Sequence, residues 1–216
     1  MKYSNSVFLG AALSIASFLS STSGTYSSSM LPYSPTFKQP DPPVLEANFF
    51  ANYMQHKWDK ELSHISSGAF YVSFVQKKVR VDLANEKSFS SSLFNYNNQT
   101  KEGLVSNKMF SYNENLAKDP TCMDYYVEPS VPLFPTDVLI SSNGVYAGLA
   151  DDPIHGQVQV WNILHGNIPV SIFLDHNNTF VRYDFWTPNR RTFTTTRFFN
   201  IKVGDPGASA FEFPCK

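Results

Sequence analysis

The chain has 216 residues and a formal net charge of −1, and only 16% of its residues are charged. This balance excludes the strong electrostatic field that would favour nucleic acid or an anionic membrane as a partner. Aromatic residues make up 15%, which is enough either for a Phe-rich β core, the favoured interpretation, or for the lining of a wide apolar cavity.

Residues 1–24 predict a secretory signal peptide. Met1-Lys2-Tyr3 is a short basic start, Val7–Leu19 is an apolar run, and Ser20–Gly24 provides small residues for cleavage. The apolar run has 13 residues, fewer than the roughly 20 needed to span a bilayer. No later stretch predicts a membrane helix. We therefore expect a secreted protein that does not span a membrane, with a lysosome-like compartment as an open alternative.

Two segments follow the signal peptide. Residues 25–43 are rich in Ser and Pro, which predicts a disordered leader. Residues 44–216 contain no linker or repeat and predict a single β-rich domain. The mature chain, about 190 residues, is long enough to bury a core of ordinary size. The sequence leaves the oligomeric state open.

Most of the domain has the pattern of β-strands. In Val79–Leu83 apolar and charged residues alternate, as in a half-buried strand. Ala47–Trp58 fits both a helical stripe and one face of a strand, and its aromatic density favours the strand. Cys122–Pro135 contains three prolines, which predicts irregular structure crossing one face or end of the sheet. The spacing of the turns predicts an antiparallel meander. The predicted strands are Ala47–Trp58, Gly68–Phe74, Lys77–Leu83, Ser90–Tyr96, Leu104–Tyr112, Val158–Leu164, Val170–Leu174, Phe180–Trp186 and Thr192–Ile201.

Two modifications are predicted for a chain in an oxidising compartment. Cys122 and Cys215 are the only cysteines, and an even count favours an intramolecular disulfide. Free or intermolecular thiols are the alternative. Asn98 and Asn177 each begin an Asn-x-Thr pattern within an Asn-rich turn, which predicts two exposed glycosylation sites.

Three short segments carry a resemblance to known families. Asn48–Gln55 resembles the opening strand of the LolA-like lipoprotein carriers, and Ser67–Tyr71 with Val79–Asp82 resembles their next hairpin. The same hairpin is similar to that of the ependymin-related secreted proteins. Those proteins also have a Trp in the later half and a Cys near the C-terminus, here Trp161 and Cys215.

The resemblance covers about residues 45–215 and implies a mainly β fold, with α+β as the alternative. The implied sheet is antiparallel and strongly curved, a half-open barrel whose concave face can hold a lipid or another apolar ligand. The chain departs from both families. It has only two cysteines, where ependymin-related proteins usually carry more, and it lacks the anchoring Cys of a lipoprotein.

The ligand contacts are predicted from the aromatic residues. Alternation along Phe180–Trp186 places Val181, Tyr183 and Phe185 on one face of their strand. That face either packs under the Pro-rich segment, which is favoured, or lines a cavity for an apolar ligand. With the aromatic residues of the resembling segments, five candidate ligand contacts result, namely Val181, Tyr183, Phe185, Trp161 and Phe50.

No catalytic signature is present, and no metal or cofactor is predicted. Asp151–His155 is more typical of a turn at Pro153 than of a metal site. His165 and Asp175-His176 lie in Gly- and Asn-rich turns where solvent exposure is expected, and no Gly-x-Ser-x-Gly elbow accompanies them. The sequence therefore predicts a secreted, non-catalytic protein that binds a lipid or other apolar molecule. The alternatives are a structural or adhesive extracellular glycoprotein and a secreted hydrolase with an unrecognised site.

Overall fold

The computed structural model describes residues 35–59, 62–85, 88–112, 120–128, 133–187 and 191–213. The predicted signal peptide lies outside the described residues. The strands are β1 Asn48–Asp59, β2 Leu62–Ser73, β3 Lys78–Asn85, β4 Ser88–Gln99, β5 Val105–Tyr112, β6 Thr121–Val127, β7 Val145–Asp152, β8 Gly156–His165, β9 Ile168–Leu174, β10 Phe180–Thr187 and β11 Thr192–Val203. A four-residue helix α1, Val138–Ser141, precedes β7, and a 3₁₀ turn spans Ala208–Phe211. Within the described part of the chain, no helix has the length and apolarity to cross a membrane.

All eleven strands form one antiparallel sheet in the order β6-β5-β4-β3-β2-β1-β11-β10-β9-β8-β7. The chain thus makes two meanders, β1 to β6 and β7 to β11, and the pairing of β1 with β11 joins them at the centre. The two edge strands are β6 and β7, so the sheet is not closed. The predicted fold class, a mainly β curved antiparallel sheet, is confirmed.

A single ring shows how strongly the sheet is curved. The ring of Phe134 lies 5.9 Å from that of Phe180 and 5.3 Å from that of His165. Phe180 pairs with Leu174 at one end of β9, whereas His165 pairs with Ile168 at the other end. Six residues of strand span roughly 20 Å, so one ring could not contact both on a flat sheet. The sheet therefore curls towards Phe134, and we call this side the concave face.

The core lies on the concave face, at the end of the sheet where β1 begins. Phe198 is 0% exposed, and its ring is within 6.0 Å of the rings of Phe49, Phe70, Phe180 and Tyr183. The segment after β6 crosses this end. The amide of Leu45 donates to the carbonyl of Thr136 at 2.8 Å, and Phe134, Val138 and Leu139 are buried. Of the predicted crossing segment, Cys122–Pro135, Phe134 takes part in this crossing, which continues beyond the predicted range to Leu139.

One prediction about secondary structure was wrong, and one strand was not predicted. Thr121–Val127 is the edge strand β6, although irregular structure was predicted from Cys122 onwards. The three prolines all follow Val127, so nothing in this stretch interrupts strand pairing. Strand β7, Val145–Asp152, was not predicted, because Gly148 and a terminal Asp pair weaken its strand pattern.

Part of the predicted disordered leader packs on the domain. The ring of Phe37 stacks on that of Tyr146 at 6.2 Å. The side chain of Gln39 donates to the carbonyl of Gly144 at 3.0 Å and accepts from the amide of Tyr146 at 3.2 Å. Aromatic stacking and these hydrogen bonds hold the described residues 35–43 against the start of β7. Residues 25–34 lie outside the described part of the chain.

Candidate functional site: a cavity in the concave face

The concave face encloses a cavity of about 810 Å³. This volume lies within the range of roughly 300–1,000 Å³ that is usual for ligand sites. Much of its wall is apolar and comes from strands on both sides of β1, including Phe70, Val81, Leu83, Phe94, Val170 and Phe185. The polar part of the wall includes Gln55, Lys57, Ser90, Thr187, Thr192 and Thr194.

The central strands explain this division. Along β1 the concave positions are Phe49, Ala51, Tyr53, Gln55 and Lys57, because every second residue faces the same side of a strand. They change from apolar to polar towards the end of the strand. On β11 the same change runs backwards, from Phe198 through three threonines to the start of the strand, namely Thr196, Thr194 and Thr192.

Neutral hydrogen-bonding groups occupy the middle of the wall. The side-chain amide of Gln55 donates to the hydroxyl of Thr196 at 3.0 Å. Thr196 also shares a hydrogen bond with the hydroxyl of Tyr183, and burial raises the pKa of Tyr183 to about 12. The hydroxyl of Tyr53 is buried and has no hydrogen-bond partner in the structure. Burial, and secondarily the neighbouring Tyr183, raise the pKa of Tyr53. Both phenols therefore stay neutral at physiological pH.

The charged groups of the wall are few. Lys57 is the only lysine or arginine among the described residues that line the cavity. Its ammonium lies 3.8 Å from the carboxylate of Asp59, and the two side chains are 44% and 40% exposed. Glu128 also lines the cavity. His165 is exposed, as predicted, but it lines the cavity as well, and desolvation lowers the pKa of its imidazole.

Of the five predicted ligand contacts, Tyr183 and Phe185 line the cavity. Val181 does not, because the register of β10 against β9 is irregular between Phe180 and Arg182. This irregularity changes the alternation at the start of β10. Val181 packs instead in a small cluster with Val158 and Phe173, and Phe180 takes the concave side with Tyr183.

The other two predicted contacts also lie outside the described cavity lining. Trp161 is 0% exposed and packs in the filled part of the core, with its ring 5.1 Å from that of Tyr146. Phe50 precedes a register irregularity in β1 and lies on the convex face, where its ring is 4.8 Å from that of Tyr71. That any of the five residues contacts a ligand stays a prediction.

The sequence interpretation missed the polar wall residues. Gln55, Lys57 and Thr194 lie on strands that were predicted, but the five predicted ligand contacts were all aromatic or aliphatic, so these polar residues were not included. The available signal was the run of alternating threonines at the start of the last strand, whose concave members are buried. Thr192 and Thr194 are 4% and 2% exposed.

The geometry does not assemble the predicted alternative of a hydrolase site. His165 ends β8, and Asp175 and His176 follow the far end of β9, so a full strand separates them. The carboxylate of Asp175 accepts hydrogen bonds from the backbone amides of Asn177 and Thr179 at 2.9 and 2.8 Å, as Asp side chains in turns usually do.

The Asp151–His155 segment is also a turn. The carboxylate of Asp152 accepts the amides of Ile154 and His155 at 2.9 and 3.1 Å, and its other oxygen lies 3.5 Å from the guanidinium of Arg197. The described residues contain no group of three or more His, Cys, Asp or Glu side chains that could hold a metal ion.

The predicted modification sites are placed as follows. Asn98 lies within strand β4, one residue before its end, and not in the predicted turn, whereas Asn177 lies in the turn after β9; both are exposed. The hydroxyl of Tyr126 donates to the side-chain oxygen of Asn98 at 2.9 Å. Cys122 lies on β6, and no described cysteine is free. Cys215 lies outside the described residues, so its pairing with Cys122 stays a prediction, as does glycosylation.

No protein-family model and no curated protein matches the sequence. Several solved structures are similar to the chain. An uncharacterized conserved protein from Thermus thermophilus has a TM-score of 0.41 at 8% identity, over 78% of this chain and 87% of that one. MucB has a TM-score of 0.42 at 12% identity, over 79% of this chain and 58% of MucB.

A Vibrio parahaemolyticus domain described as an outer-membrane lipoprotein-sorting protein has a TM-score of 0.34 at 8% identity, over 76% of this chain and 89% of that one. Its description agrees with the resemblance to LolA-like carriers. The resemblance to ependymin-related proteins stays a prediction. At these scores and identities we draw no conclusion about function from the similarities.

Proposed function

We propose that this protein is a secreted, non-catalytic binding protein for a lipid or other apolar ligand, which it holds in the concave cavity. The observation that carries the proposal is a cavity of about 810 Å³ in a chain with 19 Phe and 11 Tyr. Such a chain has enough ring volume to fill its interior, and at the neighbouring end of the concave face it does so.

The chemistry of the wall supports an apolar occupant. Water in contact with Phe70, Phe94 and Phe185 finds few hydrogen-bond partners. An apolar ligand chain that displaces this water removes its own surface and that of the cavity wall from water. This gain is about 25 cal/mol per Å² of apolar surface. The polar wall residues can fix the orientation of a ligand while the rings provide most of its affinity.

Native mass spectrometry tests the proposal. The mature protein would be purified from a eukaryotic secretory host without detergent, and its glycans would be removed. We expect a mass excess that disappears on denaturation, with a lipid recovered from the same sample. A mass equal to that of the bare chain, with no uptake after incubation with lipid vesicles, would overturn the proposal.

A matched pair of variants assigns the binding to the cavity. Val81 lines the cavity, whereas Val203 is 52% exposed at the end of β11. In Val81→Trp the indole occupies cavity volume, so the fraction of protein that carries a bound ligand should fall at least severalfold. Val203→Trp adds the same group to the surface and should leave that fraction unchanged.

A structural or adhesive role is the second candidate, because one feature of the convex face favours it. The ring of Trp58 lies 5.3 Å from that of Phe193, and Trp186 pairs directly with Phe193 across the strands. Trp58 and Trp186 are 38% and 41% exposed. Exposed apolar clusters of this kind occur at interaction surfaces. Replacement of both tryptophans by Ser should abolish binding to cell or matrix surfaces and leave lipid content unchanged, if this role exists.

A further inference from the structure

We infer that the ligand is an amphiphile with an anionic head group, bound with its apolar chain among the rings of the concave face and its head beside Lys57. The inference rests on the proposed function and adds the class of ligand and its direction in the cavity. Three features of the described residues carry it.

The first feature is the direction of the polar change. Lys57 pairs with Thr194, and Asp59 pairs with Thr192, which in turn pairs with Thr187 on β10. These positions are consecutive across three central strands, so the polar side chains gather where β1 ends. The wall rings of Phe70 and Phe94 lie further towards the start of β1, whereas Phe185 pairs with Thr194 and lies level with Lys57. A ligand that matches both parts has one apolar and one polar end.

The second feature is that the opposite end of the concave face is filled. Leu45, Phe49, Phe134 and Phe180 pack there, and the space left between them is only about 20 Å³. This is room for little more than a water molecule, so no head group can leave the cavity through it. At the other end the side chain of Lys57 is 44% exposed, and a head group there keeps contact with water.

The third feature is the charge. Lys57 provides the only ammonium or guanidinium of the described cavity wall. Its pairing with Asp59 is long and exposed, and such pairs are weak, so a ligand anion can approach the ammonium. Glu128 also lines the cavity, so among the described wall residues it is Lys57 that offers a permanent positive charge to an anionic head group.

The test compares ligands that differ only in their head group. Delipidated protein is loaded with the uncharged fluorescent probe N-phenyl-1-naphthylamine, which is then displaced by dodecanoic acid or 1-dodecanol at about pH 8, where the acid is ionised. We expect the acid to displace the probe at about fivefold lower concentration than the alcohol, which is the size of effect an exposed ion pair can give. The advantage should shrink at high salt.

Three variants assign this preference to one side chain. Lys57→Met should remove the advantage of the acid and leave displacement by the alcohol unchanged, whereas Lys57→Arg should keep it. Lys202→Met changes the net charge equally at an exposed position outside the cavity lining, and it should behave as the wild type.

The outcomes separate this inference from the proposed function. If acid and alcohol displace the probe equally, or if Lys57→Met and Lys202→Met respond alike, the anionic head group is refuted while the cavity remains a binding site. If the probe does not bind, or neither compound displaces it, the proposed function itself fails.

Discussion

The two faces of the sheet use aromatic side chains in different ways. On the concave face, the rings around Phe198 pack against one another, and beyond them the wall surrounds open volume. On the convex face, aromatic rings lie against the guanidinium groups of arginines. The guanidinium of Arg182 lies 4.3 Å from the centre of the Phe173 ring, and that of Arg80 lies 5.3 Å from the Tyr71 ring. Aromatic content alone therefore does not identify the ligand-binding side.

The convex face also repeats one polar arrangement on β3 and β10. In each strand an Arg donates twice to the Asp two residues later, at 2.8 and 3.1 Å for Arg80 and Asp82, and at 2.9 and 2.5 Å for Arg182 and Asp184. A hydroxyl from the next strand, Ser91 or Thr195, donates to the same carboxylate. The convex face thus pairs these two arginines closely with carboxylates, whereas Lys57, the one cation of the described concave wall, has only a long, exposed pairing with Asp59.

Alkaline pH should produce the largest effect, and it acts through the concave face. Burial raises the pKa values of Tyr53, Tyr96 and Tyr183, that of Tyr183 from 10.0 to about 12. Above about pH 10 the unfolded chain releases these protons while the folded protein keeps them. The contribution of these tyrosines to the free energy of unfolding should therefore be constant below pH 10 and fall above it, by at most roughly 1 kcal/mol per pH unit for each tyrosine.

Urea denaturation at a series of alkaline pH values measures this slope. Each single Tyr→Phe change at one of the three positions should remove about a third of it. A slope that is the same in all three variants would show that other groups cause the alkaline loss.

The next largest effect should distinguish the packing of the two faces along one strand. Phe198→Ala deletes a fully buried ring from the concave core and should reduce the free energy of unfolding by about 3–5 kcal/mol. Phe193→Ala removes a half-buried ring from the convex face, where about 1 kcal/mol is expected. Chemical denaturation of the two variants gives the comparison, and equal losses would contradict the assignment of the core to the concave face.

Asp184→Asn should cost less, about 2 kcal/mol. The substitution weakens two charge-assisted hydrogen bonds from Arg182 and leaves a partly buried guanidinium without its counterion. The matched control is Asp124→Asn, because Asp124 pairs with Lys108 at 4.0 Å on the surface, and it should change stability by less than about 0.5 kcal/mol. Similar values for both variants would mean that the convex arrangement contributes no more than an ordinary surface pair.

The smallest effect should have opposite signs at two concave tyrosines. Tyr53→Phe removes a buried hydroxyl without a partner, so it should stabilise the protein by about 1 kcal/mol, whereas Tyr183→Phe removes a hydrogen bond to Thr196 and should destabilise it by a similar amount. Thermal melting of both variants without ligand reports the difference. Destabilisation by Tyr53→Phe would mean that its hydroxyl has a partner in solution, such as an internal water.

The sequence predicted much of the fold because local patterns carry it. The alternation in Val79–Leu83 and the turn signals between the later strands indicated an antiparallel meander, and nine of the eleven strands lie where strands were predicted. The two edge strands were missed for different reasons. β6 was assigned to the Pro-rich stretch that follows it, although its own residues favour a strand, and β7 has a pattern weakened by Gly148 and its terminal Asp pair.

The candidate site was less accessible to prediction. Whether Tyr183 and Phe185 face a void or a packed core depends on the curvature of the sheet, which is a property of all its strands together. Val181 was assigned to the same face as Tyr183 because simple alternation cannot show the register irregularity after Phe180. Nothing in the sequence distinguishes Lys57 from the other lysines and arginines. Only the fold shows that Lys57 is the one cation of the described cavity wall.

The central pairing of β1 with β11 has a consequence for biogenesis. Gln55 and Thr196 bond across this pair although 141 residues separate them. Contacts between such distant residues slow folding, because a long loop must close before they form. During translation the strands of the first meander, β1 to β6, can pair early. One edge of β1, however, has no partner strand until β11 has been made. The cavity therefore forms only after β11 has been translated, and until then one edge of β1 stays unpaired, which favours aggregation.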